Sequence, residues 1–162
     1  MQNPAKLVGP FVQPGMTVLD VGCGPGYFTV EMAKQVGVGG KVIAADLQEG
    51  MLQELRKKIN GTELEGRIKP VLCNQGEINV SDTVDFILAF YMVHEVPDKQ
   101  SFFRQLKAIL NKRGQCLLVE PKMFHVSRKE FEQTTRIAEE SGFAIHRGPR
   151  VRFSWSALLT GQ

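Results

Sequence analysis

Short apolar runs alternate along this chain with stretches whose apolar residues fall three or four positions apart. Val18-Leu19-Asp20-Val21 follows the turn signal Pro14-Gly15 and runs into glycines, the pattern of a buried strand. Over residues 27–36, Phe28, Met32 and Val36 share one helical face, and Gly37, Gly39 and Gly40 end the stretch. Lys41-Val42-Ile43-Ala44-Ala45 predicts a second strand closed by Asp46. Residues 48–59 predict a helix with Met51, Leu52, Leu55 and Ile59 inward, stopped by Asn60-Gly61. A weaker third strand is expected at Ile68 to Leu72 and a fourth at Thr83 to Ala89. Pro97 is placed as the first residue of a helix reaching about Leu110, and Gly114 releases the chain into a fifth strand, Cys116 to Val119. Ser127 and Glu130 have capping-box spacing for a helix over 127–141, ended by Gly142. Strands near 143–147 and 151–159 leave no room for a helix between them, so a hairpin is expected and one of the two runs antiparallel.

Strand and helix in alternation imply a mostly parallel sheet covered on both faces, an α/β architecture. At 162 residues the chain is expected to form one domain, 1–162. Its 43% hydrophobic and 23% charged residues are the balance of a globular protein. Asp20, Asp46 and Asp85 interrupt the best apolar runs, so no membrane span is expected, and the N-terminal residues lack the pattern of a signal peptide. Cys23, Cys73 and Cys116 form neither CxxC spacings nor an even set. A reducing, cytoplasmic setting with no disulfide framework and no metal site is the expectation.

Charge adds an asymmetry. Residues 1–98 carry 8 Lys/Arg against 12 Asp/Glu, whereas residues 99–162 carry 12 against 5. Such a split can mark a nucleic-acid or anionic-substrate face. The basic residues are scattered with few aromatics among them, and Lys112-Arg113 precedes a glycine as at a helix C-terminus. Solvated helix faces and caps are the preferred reading.

Chemistry concentrates in Asp20-Val21-Gly22-Cys23-Gly24-Pro25-Gly26, which leaves the first strand and enters the first of these helices. Glycines there permit a tight turn and close backbone approach to a ligand, and the helix N-terminus offers unpaired N–H groups. Asp46 lies 20 residues beyond Gly26 at the end of the second strand, where a carboxylate can accept hydrogen bonds from ribose hydroxyls. A helix cap is the plainer role for Asp46, and the two can coexist. The G-x-G-x-G spacing departs from the dinucleotide fingerprint, and Asp20 is a poor neighbour for a pyrophosphate but a good one for a cationic ligand. A P-loop would need a Lys and a Ser/Thr after Gly26, and neither follows.

Residues 18–26 resemble the first motif of class I S-adenosylmethionine-dependent methyltransferases. Val42 to Leu47 is similar to the second motif. Asp85 to Ala89 with His94-Glu95-Val96-Pro97-Asp98 resembles the fourth strand and its loop, and Val119-Glu120-Pro121 the end of the fifth. The resemblance spans about residues 16 to 159 and is closest to the small-molecule branch typified by ubiquinone/menaquinone-biosynthesis methyltransferases. It implies a Rossmann-like, doubly wound seven-stranded sheet of order 3-2-1-4-5-7-6 with strand seven antiparallel. It also implies S-adenosyl-L-methionine as cofactor and S-adenosyl-L-homocysteine as product. Carried over by position, Gly22, Gly24 and Gly26 would line the methionine and ribose portion, with Tyr27 beside them. Asp20 would orient the ammonium or a water near it, Asp46 the ribose hydroxyls, and Leu47 would pack on adenine. Asn74 or Gln75 would meet the adenine edge, where the family often has an acid. Ala89 and Phe90 would border the methionine part.

Methyl transfer from a sulfonium needs alignment above all, and a base only if the acceptor must lose a proton. His94 is the one candidate base, since an imidazole ordinarily titrates near neutrality; a histidine holding its loop, or packing beside Glu95, is the plainer alternative. Tyr27, Tyr91 and His125 rank lower as substrate contacts, and Cys23 and Cys116 read as packing residues. The fourth strand leads to Ala89-Phe90-Tyr91-Met92 rather than an amino-methylase Asn/Asp-Pro-Pro-Tyr/Phe run, and no Pro-Cys pair is present, which argues against nucleobase methylation. The expected acceptor is a small molecule rather than nucleic acid. About 16 residues precede the first strand, a minimal N-terminal cap, so a second subunit or another protein is a candidate to close the acceptor site. The alternative is a non-catalytic S-adenosylmethionine-binding regulatory or partner subunit, with a dehydrogenase a distant third.

Overall fold

The computed structural model describes residues 3–122 and 125–162. A short helix α1 (Pro4–Val8) precedes β1 (Thr17–Val21), α2 (Tyr27–Val36), β2 (Lys41–Asp46), α3 (Glu49–Ile59), β3 (Ile68–Leu72) and β4 (Val84–Phe90). Then come α4 (Lys99–Ile109), β5 (Leu110–Pro121), α5 (Arg128–Glu140), β6 (Phe143–Arg147) and β7 (Ser154–Gly161). The strands form one sheet in the order β3-β2-β1-β4-β5-β7-β6. β1 to β5 pair in parallel, and β7 runs antiparallel to both β5 and β6. This is the expected order, late hairpin included.

Alternation along the buried strands feeds two cores. Val18, Val42, Phe86 and Leu88 point to the side covered by α2 and α3, where Met32, Leu52 and Leu55 are fully buried. Leu19, Ile43, Ile87 and Leu118 point to the side covered by α4 and α5, against Phe103, Leu106 and Phe131. Burying each such side chain contributes roughly 1.5–3 kcal/mol, so both faces of the central strands are sealed and the ligand space lies at the carboxyl ends.

Several boundaries differ from expectation. α4 begins at Lys99 with Asp98 as its cap, the Asp98 side chain accepting from Ser101 N at 2.9 Å, so Pro97 precedes the helix instead of opening it. Leu110 caps that helix and starts β5, which is far longer than expected because a register shift between Val84 and Phe86 carries pairing past residues 111–114. Lys112 and Arg113 therefore lie in an irregular strand, not at a helix end. Unexpected in the sequence is α1, whose Leu7 and Val8 are buried, followed by Phe11 stacked on Phe86 with ring centroids 5.5 Å apart. The N-terminal segment plugs the core at this place.

Candidate active site

At the carboxyl ends of β1, β2 and β4 the sheet order reverses direction, and a cavity of about 280 Å³ opens there. Val21, Gly22, Asp46, Leu47, Asn74 and Gln75 line one side, and Tyr91, Met92, Val96, Phe102 and Gln105 the other. A crevice outside the strand ends at such a switch point is where open α/β sheets hold ligands.

The three glycines of the loop serve three different contacts. A Cβ on Gly22 would lie 2.8 Å from Met92 Cγ, and one on Gly26 would lie 2.4 Å from Leu55 Cδ1. These two positions let the loop pack against the turn after β4 and against α3. Gly24 differs: its φ is +53° and nothing lies within 4 Å of an added Cβ, so a glycine there serves the left-handed turn and not a close contact within the protein; Gly22 lines the cavity, whereas Gly24 and Gly26 are not among its lining residues. Asp46 fixes this loop. Its Oδ2 accepts from Gly24 N and its Oδ1 from Gln48 N, both at 2.8 Å. Asp46 is not the cap of α3, whose N-cap is Gln48; it holds the bend before that helix from the cavity wall and retains lone pairs for further donors.

The segment 74–79 after β3 is irregular but pinned. Asn74 Oδ1 accepts from Gly76 N at 2.9 Å and Glu77 N at 2.8 Å, which commits its oxygen to its own turn. Gln105 of α4 reaches across: its Oε1 accepts from Ile78 N at 3.0 Å and its Nε2 donates to Gly76 O at 2.8 Å. Sequence reading missed Gln105 because its partners lie 27 and 29 residues away.

Other expected residues stand back from the cavity. Asp20 is buried on the α2 side of β1 and accepts from Thr29 Oγ1 at 2.6 Å. Burial pushes its carboxyl up to about 7; the Thr29 bond opposes this, and the nearby Asp46 charge adds to it. Ala89 is fully buried in the core, and Phe90 sits in a ring ladder, 4.5 Å from Phe28 and 4.1 Å from Tyr91. Tyr27 meets Phe28 edge-on at 5.2 Å. Among the cysteines, burial pushes Cys73 up to about 11 and Cys116 up to about 12. Burial, with the Asp20 and Asp46 charges, raises Cys23 as well, so none is a ready nucleophile.

The Asp20 shift has a measurable consequence. Its folded-state value of about 7 lies above the ordinary 3.8, so the native chain keeps a proton that the unfolded chain releases. The associated stability is fully present below 3.8 and is lost as pH rises through about 7. An Asn at this position still accepts from Thr29 but carries no charge. Asp20→Asn is therefore expected to gain stability relative to the parent between pH 5 and pH 8 in urea unfolding. A parent–variant difference that stays constant with pH would contradict the assignment.

His94 occupies a short turn, Val93–Glu95, after β4. It is held by Glu120, a side chain 2% exposed near the end of β5. Glu120 Oε1 accepts from Val93 N and Oε2 from His94 N, each at 3.0 Å, and Oε2 also pairs with His94 Nδ1 at 2.7 Å. A carboxylate that accepts from two backbone amides leaves Nδ1 as the donor of the third bond, so Nε2 carries the free lone pair. The ring is partly exposed and lies 6.3 Å from the His125 ring. Sequence reading had not linked Glu120 to His94; an acid ending an apolar strand was the only available signal. No group of His, Cys, Asp and Glu among the described residues could hold a metal ion.

Residues 12–148 match a family model described as a methyltransferase domain. Among curated proteins, the chain is 29% identical over 141 residues to the ubiquinone/menaquinone biosynthesis C-methyltransferase UbiE of Cronobacter sakazakii, covering 86% of this chain and 53% of that protein. It is 33% identical over 110 residues to the protein of the same name from Escherichia coli O1:K1, covering 67% of this chain and 44% of that one. The chain thus spans about half the length of these curated relatives. Among solved structures, it is similar to a SAM dependent methyltransferase from Aquifex aeolicus, with TM-score 0.84, 28% identity, and coverage of 97% of this chain and 88% of that one.

Proposed function

The chain belongs to the methyltransferase domain family, within the class I S-adenosylmethionine-dependent fold, and from that premise we propose that it moves a methyl group onto a small-molecule acceptor by in-line displacement. The observation that carries this reading is the cavity at the switch point, with Gly22, Asp46 and Leu47 on its wall and Asp46 holding the glycine loop at Gly24 N. S-adenosylmethionine fits the donor set. Gly22 and Gly24 offer bare backbone to its methionine and ribose portions, Asp46 accepts from ribose hydroxyls, and Leu47 supplies apolar surface for adenine. Gln75 takes the adenine edge, because the Asn74 oxygen is committed to its own turn. When bound, this cofactor supplies an electrophilic methyl group on a charged sulfonium and leaves as S-adenosylhomocysteine.

The chain's own task is to place the acceptor and remove its proton. His94 Nε2 takes that proton, and Glu120 keeps the opposite nitrogen protonated and the ring oriented. Tyr27, the buried Ala89 and the partly buried Phe90 shape the wall behind the loop, and Asp20 supports it from beneath through its bond to Thr29. Residues 1–162 work as one methyltransferase domain, and a second copy or another protein covers the acceptor side. No helix among the described residues is long and apolar enough to cross a membrane, and the cysteines are free; both accord with a cytoplasmic setting.

Folded chain mixed with S-adenosylhomocysteine at 100 times its dissociation constant is expected to gain about 2.7 kcal/mol, read as a rise in Tm. NAD at the same concentration should give no rise. A chain that is folded yet indifferent to millimolar S-adenosylhomocysteine would overturn the reading. A protein that binds the cofactor but transfers no label to any acceptor in a broad screen would favour the non-catalytic alternative.

A further inference from the structure

A second concavity, of about 1040 Å³, lies at the carboxyl end of the sheet between α5 and the β6–β7 connection. Five cations line it, Lys122, Arg128, Arg147, Arg150 and Arg152, with Glu132 the one acid on the wall. The chain's excess positive charge beyond residue 98 is therefore partly gathered into one hollow and not spread over helix faces. Arg128 is engaged by Glu132 at 2.8 Å, and Lys122 Nζ sits 4.2 Å above the Trp155 ring. Arg147 and Arg150 have no ion-pair partner among the described residues.

This hollow borders the cavity of the candidate active site across a hydrogen-bonded seam. Tyr91 lines that cavity, Ser154 lines the basic hollow, and their hydroxyls meet at 2.5 Å. Lys122 N donates to Phe153 O at 2.8 Å, so the chain leaving β5 and the chain entering β7 close the same border. Tyr91 holds a φ of +57°, a conformation rare for an aromatic residue, which aims its ring at this seam. The cavity wall itself is acidic or neutral, with Asp46, Glu77, Glu95 and Asp98, and no cation lines it. A ligand spanning the two spaces meets negative charge at the cofactor end and positive charge at the far end.

We infer that the methyl acceptor is a small anion, a carboxylate or phosphate ester, whose charged group is bound by Arg147, Arg150 and Lys122 in this hollow while its methylated atom reaches past Tyr91. The inference rests on the methyltransferase reading for the word acceptor, but the anion site itself does not. Guanidinium groups suit planar bidentate binding of either anion, and a concave wall strengthens the field that attracts them. A small molecule is favoured over nucleic acid because the cations converge on one hollow instead of tracking a strand. Among them the aromatic ring of Trp155 is covered by Phe131 and Lys122 and gives no free stacking platform.

Trp155 is the only tryptophan of the chain and stands on the wall of the hollow, so its fluorescence reports occupancy directly. The chain saturated with S-adenosylhomocysteine should be titrated with phenyl phosphate, benzoate, and their neutral counterparts phenol and benzamide. A saturable change is expected for the anions only, weakening at least 10-fold in the double variant Arg147→Ala with Arg150→Ala and with added salt. Whether phenyl phosphate or benzoate binds more tightly separates the phosphate ester from the carboxylate. Identical curves for charged and neutral compounds, or no saturable change below 50 mM, would overturn the proposal, whatever S-adenosylhomocysteine does to Tm. Single-stranded RNA binding more than 100-fold tighter than phenyl phosphate, lost in the same double variant, would overturn it in favour of a nucleic-acid face. Lack of any thermal response to S-adenosylhomocysteine, with anion binding intact, would instead sink the methyltransferase reading and leave the anion site standing.

Discussion

Gly24→Val is expected to abolish S-adenosylmethionine binding while the chain still folds. An added Cβ meets no protein atom within 4 Å, so packing is little disturbed, and on the proposed reading the space filled is the ligand's. The residue does sit at φ +53°, where a β-branched side chain is strained by about 1–3 kcal/mol. Some fall in Tm is therefore expected without ligand. The discriminating quantity is the further rise on adding S-adenosylhomocysteine, which the parent should show and the variant should lack. Asp46→Ala makes a graded companion. Loss of hydrogen bonds from the ribose should weaken binding by roughly 1–3 kcal/mol. The same change also strips Gly24 N and Gln48 N of their acceptor, so this variant loses intrinsic stability as well. If calorimetry finds both variants binding like the parent, the cofactor lies elsewhere.

His94→Ala should reduce kcat by ~10²–10⁴-fold, the range for removal of a general base, with little change in cofactor Kd. The reason is geometric. Nδ1 is bound to Glu120 at 2.7 Å, which leaves Nε2 as the basic atom, and His94 is not on the wall of the cofactor cavity. A base that touches only the acceptor adds nothing to uniform binding of the cofactor. The limb of the pH–rate profile belonging to an imidazole should disappear with it. Glu120→Gln separates positioning from proton removal. Its amide oxygen can still receive one N–H, but its NH2 group faces donors. The ring should then lose its fixed tautomer, lowering kcat and shifting the pH profile without erasing it. A His94→Ala enzyme with near-normal turnover would make the histidine a holder of its turn, and the reaction would proceed by alignment alone. Loss of cofactor affinity instead would mean that the turn after β4 governs the cofactor cavity.

The sheet was legible because its central strands are uninterrupted apolar runs, and each glycine cluster marks where one ends or a helix stops. Five parallel strands and a terminal hairpin followed from that pattern, and the strand order from the resemblance. α1 escaped notice since five residues with two buried side chains give no period to read. The true length of β5 escaped because Asn111, Lys112 and Arg113 are polar and partly or fully exposed, and their pairing depends on a register shift that only the neighbour β4 dictates. In the site, Gly22, Gly24 and Asp46 could be found by spacing because a turn and a strand end fix them locally. The distinct burdens of the three glycines could not, since Met92 and Leu55 reach them from far along the chain. Glu120 was hidden for the same reason: 26 residues separate it from His94, and nothing nearby in sequence announces a partner.

The pinning of residues 74–79 by Gln105 has a bearing on how such proteins diverge. That loop has no ladder of its own and takes part of its shape from two bonds to one side chain on a helix, so on the proposed reading the surface offered to adenine is set partly from α4. A change at Gln105 should act as a change in the loop, and a substitution near Gly76 or Ile78 should be tolerated or rejected according to what position 105 carries. Relatives that replace one without the other would be expected to show non-additive effects on nucleoside preference. Position 105 and the loop are therefore expected to change together, although no motif joins them.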